Sequence, residues 1–122
     1  MSSVTTELPP IVAEHIAAVN AFDTDRIVGT FAPDAYVNDN RREIWGTDAI
    51  WKFMNKEFVG DHVTMDVKEV IDHHGDILVR AKYDGTYDKT NLPHELIMTS
   101  YFAIRDGKIT SLTVIFNQPS PY

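Results

Sequence analysis

The chain has 122 residues, 43% of them hydrophobic and 24% charged, which is the composition of a globular protein with enough length for one core and too little for two. It has no cysteine and a formal net charge of −7, which excludes thiol nucleophiles, disulfides and thiolate metal sites and argues against a surface that tracks nucleic-acid phosphates. No apolar run approaches the roughly 20 residues needed to span a bilayer, and the opening MSSVTTELPP has neither a basic start nor an apolar segment, so we expect a single cytoplasmic domain over residues 1–122.

Pro9-Pro10 suit the opening turn of a helix, and Val12, Ile16 and Val19, with Ile11, Ala18 and Phe22 alongside, repeat at helical spacing to about Ala21. Asp23 is a good N-cap for a short second helix reaching Phe31, where Pro33-Asp34 should stop it. Residues 35 to 39 alternate in the manner of a strand, and after Asn40-Arg41-Arg42 the segment Glu43-Ile44-Trp45 reads as its returning partner. Gly46-Thr47-Asp48 opens a third helix with Ile50, Phe53, Met54 and Phe58 on its apolar face and Gly60 at its end.

From there the texture becomes that of an antiparallel meander: alternating segments at 63 to 72, 77 to 87, 92 to 105 and 108 to 117, with turns at His74-Gly75-Asp76, Asp88-Lys89-Thr90-Asn91 and Asp106-Gly107. Asp106-Gly107 is the clearest turn, since both central positions of a type I′ turn need positive φ. Three helices followed by a sheet long enough to curl over them give an α+β fold with a concave face and a small-molecule pocket. In the last strand Leu112, Val114 and Phe116 share one face and Thr113 and Ile115 the other, so the outer face also needs cover, which predicts a homodimer through it.

Two polar residues stand out for chemistry. His15 lies on the apolar stripe of the first helix, between Ile11 and Val19, and reads either as a core histidine bonded within the protein or as an imidazole N–H donor to a substrate oxygen. Asp39 shares strand parity with Ala35 and Val37 and reads either as an Asx-turn residue or as a general base in the pocket. His62, His73, His74 and His94 never fall at i, i+4 on an expected helix, so we expect no metal, and no nucleophile-elbow or phosphate-binding motif occurs. Tyr83, Tyr87 and Tyr101 carry hydroxyls on strands, where packing is the commoner role.

Residues 11–39, IVAEHIAAVNAFDTDRIVGTFAPDAYVND, closely resemble the amino-terminal region of bacterial steroid Δ5-3-ketoisomerases. The match continues through WGTDAIWKF (45–53), KEV (68–70) and DGKITSLTVIF (106–116). These enzymes sit in the nuclear-transport-factor-2-like superfamily, with SnoaL-like polyketide cyclases. The resemblance implies a cone-shaped curved sheet, antiparallel or mixed, wrapped over three N-terminal helices, and it covers nearly the whole chain. It places Asp39 on the family's general base. His15 falls on the tyrosine that donates to the dienolate oxygen, and Met54 on that tyrosine's supporting tyrosine. The second oxyanion donor, a neutral carboxylic acid in the isomerase, falls on Ser100, or on Thr99 if aligned without a gap. Loss of one oxyanion donor costs about 10²–10³ in turnover, so either the substrate or the chemistry differs from the steroid isomerases.

The resemblance therefore implies cofactor-free proton transfer on a hydrophobic carbonyl compound such as a steroid-, polyketide- or terpenoid-like ketone. Asp39 would be the base, His15 the oxyanion donor and Ser100 its helper, with Phe53, Met54, Leu112, Val114 and Phe116 as dry walls and Tyr83 among the ligand contacts. Dehydration or cyclisation on the same scaffold is the related alternative, and ligand binding or dimerisation without catalysis the competing one. Polar atoms of His15 and Asp39 across one cavity would favour chemistry, and their opening to different cavities would favour recognition alone.

Overall fold

The computed structural model describes residues 2–5, 7–73, 76–90 and 95–116. Helix α1 spans Pro10–Asn20, with Pro10 in its first turn as expected. It ends when Phe22 takes a left-handed backbone (φ 56°), so that Phe22 N–H reaches the Val19 carbonyl and Asp23 N–H the Ala18 carbonyl, a Schellman closure made without glycine. Asp23 caps α2 through its side chain, which accepts from Arg26 N–H, but α2 is only Thr24–Val28. The expected continuation to Phe31 fails because Phe31 opens strand β2 (Phe31–Asp39), where it is buried and pairs with Ile109. Pro33 does not stop a helix; it sits in a stretch of β2 where the ladder shifts register between Phe31 and Tyr36, as suits a residue with no N–H to donate.

Strand β3 (Arg42–Trp45) returns one residue earlier than expected. The two-residue turn Asn40-Arg41 has positive φ at both positions (49° and 77°), which places Arg42 directly opposite Asp39. Helix α3 (Thr47–Phe53) runs into a π-helical segment, Met54–Val59, whose wider winding is carried by bonds such as Gly60 N–H to the Asn55 carbonyl (2.9 Å).

The meander follows as β4 (Thr64–His73), β5 (Asp76–Asp84), β6 (Leu96–Arg105) and β7 (Lys108–Phe116), with the Asp106-Gly107 turn at φ 53° and 74° as expected for type I′. The other two expected turns fall partly on residues 74–75 and 91, outside the described residues, as does the expected start of β6 at residue 92. A strand not foreseen from the sequence, β1 (Ser2–Thr5), pairs with the far end of β4. The sheet runs β1-β4-β5-β6-β7-β2-β3, antiparallel throughout except for the parallel β2–β7 pair, and register shifts in β4 and β6 help it to curl. Its concave face buries Val37, Val79, Ala81, Phe102, Ile109, Leu112 and Val114 against Val12, Ile16, Val19, Ile27, Ile50 and Met54 of the helices. The α+β cone is thus the fold of this chain. No helix among the described residues is long and apolar enough to cross a membrane.

Strand β1 stops at the register Thr5–Val70, leaving the edge of β4 open beyond it. Asn20, the last residue of α1, fills the gap: its amide donates to the Met65 carbonyl (3.1 Å) and accepts from Met65 N–H (2.7 Å), as a neighbouring strand would. Asn20→Ala strips both partners from half-buried backbone groups and should cost about 2 kcal/mol, read as a lowered urea midpoint with unchanged m-value.

Candidate active site

The open end of the cone holds a cavity of about 240 Å³ between the π-helical segment and the sheet. Its walls are Phe53, Phe58, Val63, Leu96 and Met98, and Asp39, Asn40, Glu57, Asp61, Tyr83 and Tyr87 supply its polar groups. Each polar group is there for a local reason. The burial pattern of β2 keeps Ala35, Val37 and Asp39 on one face, so the carboxylate points inward with 8% of the residue exposed. The π winding of residues 54–59 accompanies both Glu57 and Phe58 lining the same space.

At the end of β5 the chain breaks off at Gly85, where a Cβ would lie 2.7 Å from the Asp61 carbonyl oxygen and 3.0 Å from Tyr87 ring carbons. This close approach is why the strand is shorter than its alternation suggests, and it folds Tyr87 back so that its hydroxyl donates to the Tyr83 carbonyl (3.2 Å).

Arg42 is the residue that sequence reasoning missed. Its guanidinium donates to Asp39 Oδ2 and, through two bonds of 2.7 Å, to both Glu57 oxygens, while lying over the Phe53 ring at 5.4 Å. Glu57 first and Asp39 second push its pKa above the ordinary guanidinium value. The signal was present: a two-residue turn puts the positions that flank it face to face, here an aspartate and an arginine. With Asp39 Oδ2 held, Oδ1 has no hydrogen-bond partner among the described residues. Among the described residues that line the cavity, Asp39, Glu57 and Asp61 are carboxylates and none is cationic, and Arg42 beside them is engaged by two of the three, so the site favours neutral over anionic ligands.

Of the residues expected to meet at the pocket, Asp39, Phe53 and Tyr83 do so. Met54, Leu112 and Val114 are in the core, 0–2% exposed, and do not line the cavity; the side chain of Phe116 lies outside the described residues. Ser100 faces inward but lies beneath Tyr83, bonded to its hydroxyl at 3.0 Å, whereas Thr99 faces the other side of the sheet.

His15 is not brought to Asp39's cavity. It is 1% exposed, with its ring edge-on to Phe31 (5.5 Å) and Phe102 (5.4 Å), and Nδ1 lies 3.2 Å from Thr30 Oγ1. The Thr30 hydroxyl proton is committed to the Ile27 carbonyl (2.6 Å), so Thr30 accepts from His15 and the imidazole N–H is already used. Burial pushes the His15 pKa down to about 4, which keeps the ring neutral at pH 7. Tyr83 is pushed up to about 12, by burial above all and further by the Asp39 charge against the opposing Ser100 bond, so it stays a neutral hydroxyl.

The model of the SnoaL-like domain matches residues 12–112. A putative polyketide cyclase from Sinorhizobium meliloti is 30% identical, with 88% of this chain and 95% of that one covered and a TM-score of 0.79. The epoxide hydrolase/cyclase-like enzyme SalBIII, described for pyran ring formation in the polyether salinomycin, is 24% identical over 88% of each chain with a TM-score of 0.77. A protein of ketosteroid isomerase-like fold from Catenulispora acidiphila, solved with trimethylamine, is 18% identical over 91% of this chain and 88% of that one, also with a TM-score of 0.77. No curated protein matches. With the family model spanning most of the chain and the cone of helices and sheet in place, the chain belongs to the SnoaL-like family within the NTF2-like superfamily.

Proposed function

We propose that the protein is a cofactor-free pocket enzyme that moves a proton next to the carbonyl of a neutral, hydrophobic compound, a steroid-, polyketide- or terpenoid-like ketone, with Asp39 as general base. The observation that carries this reading is the Asp39 carboxylate itself, which lines an aromatic-walled cavity with one oxygen held by Arg42 and the other without a hydrogen bond among the described residues. Asp39 takes the α-proton as the C–H electron pair becomes the C=C of an enolate and the carbonyl π pair moves to oxygen. Where the ketone is β,γ-unsaturated the product is a dienolate, and return of the proton to its γ-carbon, as the oxygen pair re-forms the C=O and the double bond moves to the α,β position, completes an isomerisation. His15 acts in this reading as a core residue and not as the oxyanion donor.

The test needs no natural substrate. α-Proton exchange of 2-tetralone in D₂O, followed by proton NMR, should be accelerated by the native chain and lost in Asp39→Asn. Dehydration or cyclisation would use the same base on another compound, and product mass separates dehydration, which loses water, from isomerisation.

Recognition without turnover is the second reading. It is favoured by the ion pair on Asp39 and by the exclusion of His15 from the cavity. Tight binding of an aromatic ketone with no exchange above background would establish it over catalysis.

The same reading takes residues 1–122 as one cytoplasmic domain that pairs through the outer face of the sheet. Tyr101 (38% exposed) and Ile115 (46%) stand on that face, beside a hollow of about 490 Å³ to which Ile71, Leu78 and Thr113 contribute. Light scattering should give twice the 13.8 kDa chain mass, and Tyr101→Asp should reduce it to a single chain. A native mass of 13.8 kDa removes the dimer.

A further inference from the structure

We propose that Tyr83, positioned by Ser100, is the group that hydrogen-bonds the ligand's oxygen in the Asp39 cavity, taking over on β5 the donor role that the sequence alone places on α1. The inference rests on the reading of this cavity as a site for carbonyl compounds, and it names the donor that this reading lacks. An enolate oxygen formed beside Asp39 needs a neutral donor that stays protonated and is already in place.

Among the described residues, the side-chain donors on or beside the cavity are Arg42, Asn40, Tyr83 and Tyr87, and of these Asn40 sits in the β2–β3 turn with interactions of its own. Arg42 is engaged by Glu57 and Asp39, the His15 N–H is spent on Thr30, and the Tyr87 hydroxyl is spent on the Tyr83 carbonyl. Tyr83 differs in the partner it has. Its hydroxyl bonds Ser100 Oγ, another hydroxyl, and either atom can be the donor. When Ser100 donates to the Tyr83 oxygen, the Tyr83 proton is released to point at a ligand, and the relay strengthens the outer bond. A backbone carbonyl in place of Ser100 would have held that proton permanently.

Placement agrees. Tyr83 pairs across the sheet with Leu96 at the cavity, yet its hydroxyl reaches Ser100, whose cross-strand partner is Val79, so the ring lies along the concave face with its polar end toward the floor. The charge of Asp39 bears on the same hydroxyl from another wall of the cavity. A carbonyl compound seated between them meets a base at its α-carbon and a neutral donor at its oxygen.

The probes are 2-naphthol, a flat aromatic whose hydroxyl oxygen stands for the enol oxygen, and naphthalene, which has the same shape without it. The native chain should bind 2-naphthol more tightly than naphthalene by about tenfold. Tyr83→Phe should abolish that preference while leaving naphthalene affinity unchanged. Ser100→Ala should weaken the preference, and Ser100→Thr, which keeps a hydroxyl, should restore it. If Tyr83 only plugs the cone, Tyr83→Phe will lower affinity for both probes equally or for neither, and that result overturns the proposal; so does a native chain with no preference. Should Tyr83→Phe not fold, Ser100→Ala decides: a retained preference overturns the proposal and a reduced one supports it. The Asp39 reading fails separately. Absence of 2-tetralone exchange in the native chain removes the base while a Tyr83-dependent naphthol preference keeps the donor, and exchange with no such preference does the reverse.

Discussion

If Asp39 is the general base, Asp39→Asn should lower the exchange of 2-tetralone α-protons by about 10²–10⁴-fold, the range that a positioned general base supplies. The substitution is nearly isosteric and removes the basic lone pair of a carboxylate while leaving the cavity's size unchanged. Its structural cost should be small. Arg42 is 55% exposed and keeps both bonds to Glu57, so the β2–β3 hairpin stays tied to the π-helical segment, and an ion pair this open to water adds little to stability. A loss of rate with an unchanged thermal midpoint therefore belongs to the chemistry. Asp39→Glu separates base strength from placement: it keeps the carboxylate but moves it by one methylene, and a displacement of that order should cost about 10²-fold. If Asp39→Asn exchanges at the native rate, Asp39 is not the base and the second reading, recognition without turnover, takes its place.

Arg42 gives that experiment a second use. It donates to Asp39 Oδ2, which fixes the rotamer of the carboxylate and leaves Oδ1 without a hydrogen bond among the described residues. Any carboxylate is a weak base beside the α-carbon of a simple ketone, so the site suits substrates whose α-protons are already acidic, such as β-dicarbonyl or vinylogous polyketide compounds. A panel of ketones of graded acidity should show exchange rising steeply toward the more acidic members in the native chain, and shallowly in Asp39→Asn.

What the sequence made legible follows from which forces act locally. Alternation and helical spacing report burial, so the helices, the meander and the inward parity of Asp39 could all be read from residue types. The type I′ turn at Asp106-Gly107 was equally plain, because its backbone demand falls on residues suited to it. The Asn40-Arg41 turn makes the same demand of an arginine, whose left-handed φ is accompanied by a local bond from Arg41 N–H to Asn38 Oδ1, so a residue type that rarely takes this backbone hides the signal. Missing that turn concealed the pairing of Arg42 with Asp39. The mock-strand role of Asn20 is fixed by a partner far along the chain, Met65. His15 shows the limit most clearly. Its spacing on α1 said only that it is buried, and two readings share that spacing; Thr30, fifteen residues away, decides between them by having already given its own proton to Ile27.

That arrangement makes His15 a stability determinant with a defined pH window. Its native pKa of about 4 lies below the ordinary 6.5, so between these values the unfolded chain binds a proton that the folded chain refuses. Stability then rises with pH through the window: the contribution is complete above about pH 6.5 and is lost progressively as pH falls to about 4, by about 3 kcal/mol in all. Replacement by an apolar residue removes the titrating group. It costs Thr30 only an incoming hydrogen bond, since its hydroxyl still donates to Ile27. In urea unfolding of the native chain and His15→Leu from about pH 7.5 to 4, the variant should therefore gain about 3 kcal/mol on the native chain as the pH falls. Exposed carboxylates whose pKa is lowered by ion pairs or hydrogen bonds, such as Asp66, Asp84 and Asp88, titrate in both proteins and cancel in the difference. Parallel curves would mean that His15 takes up its proton in the native core as readily as in the unfolded chain. The imidazole would then become a cation between the Phe31 and Phe102 rings at acid pH and could serve as a proton donor there.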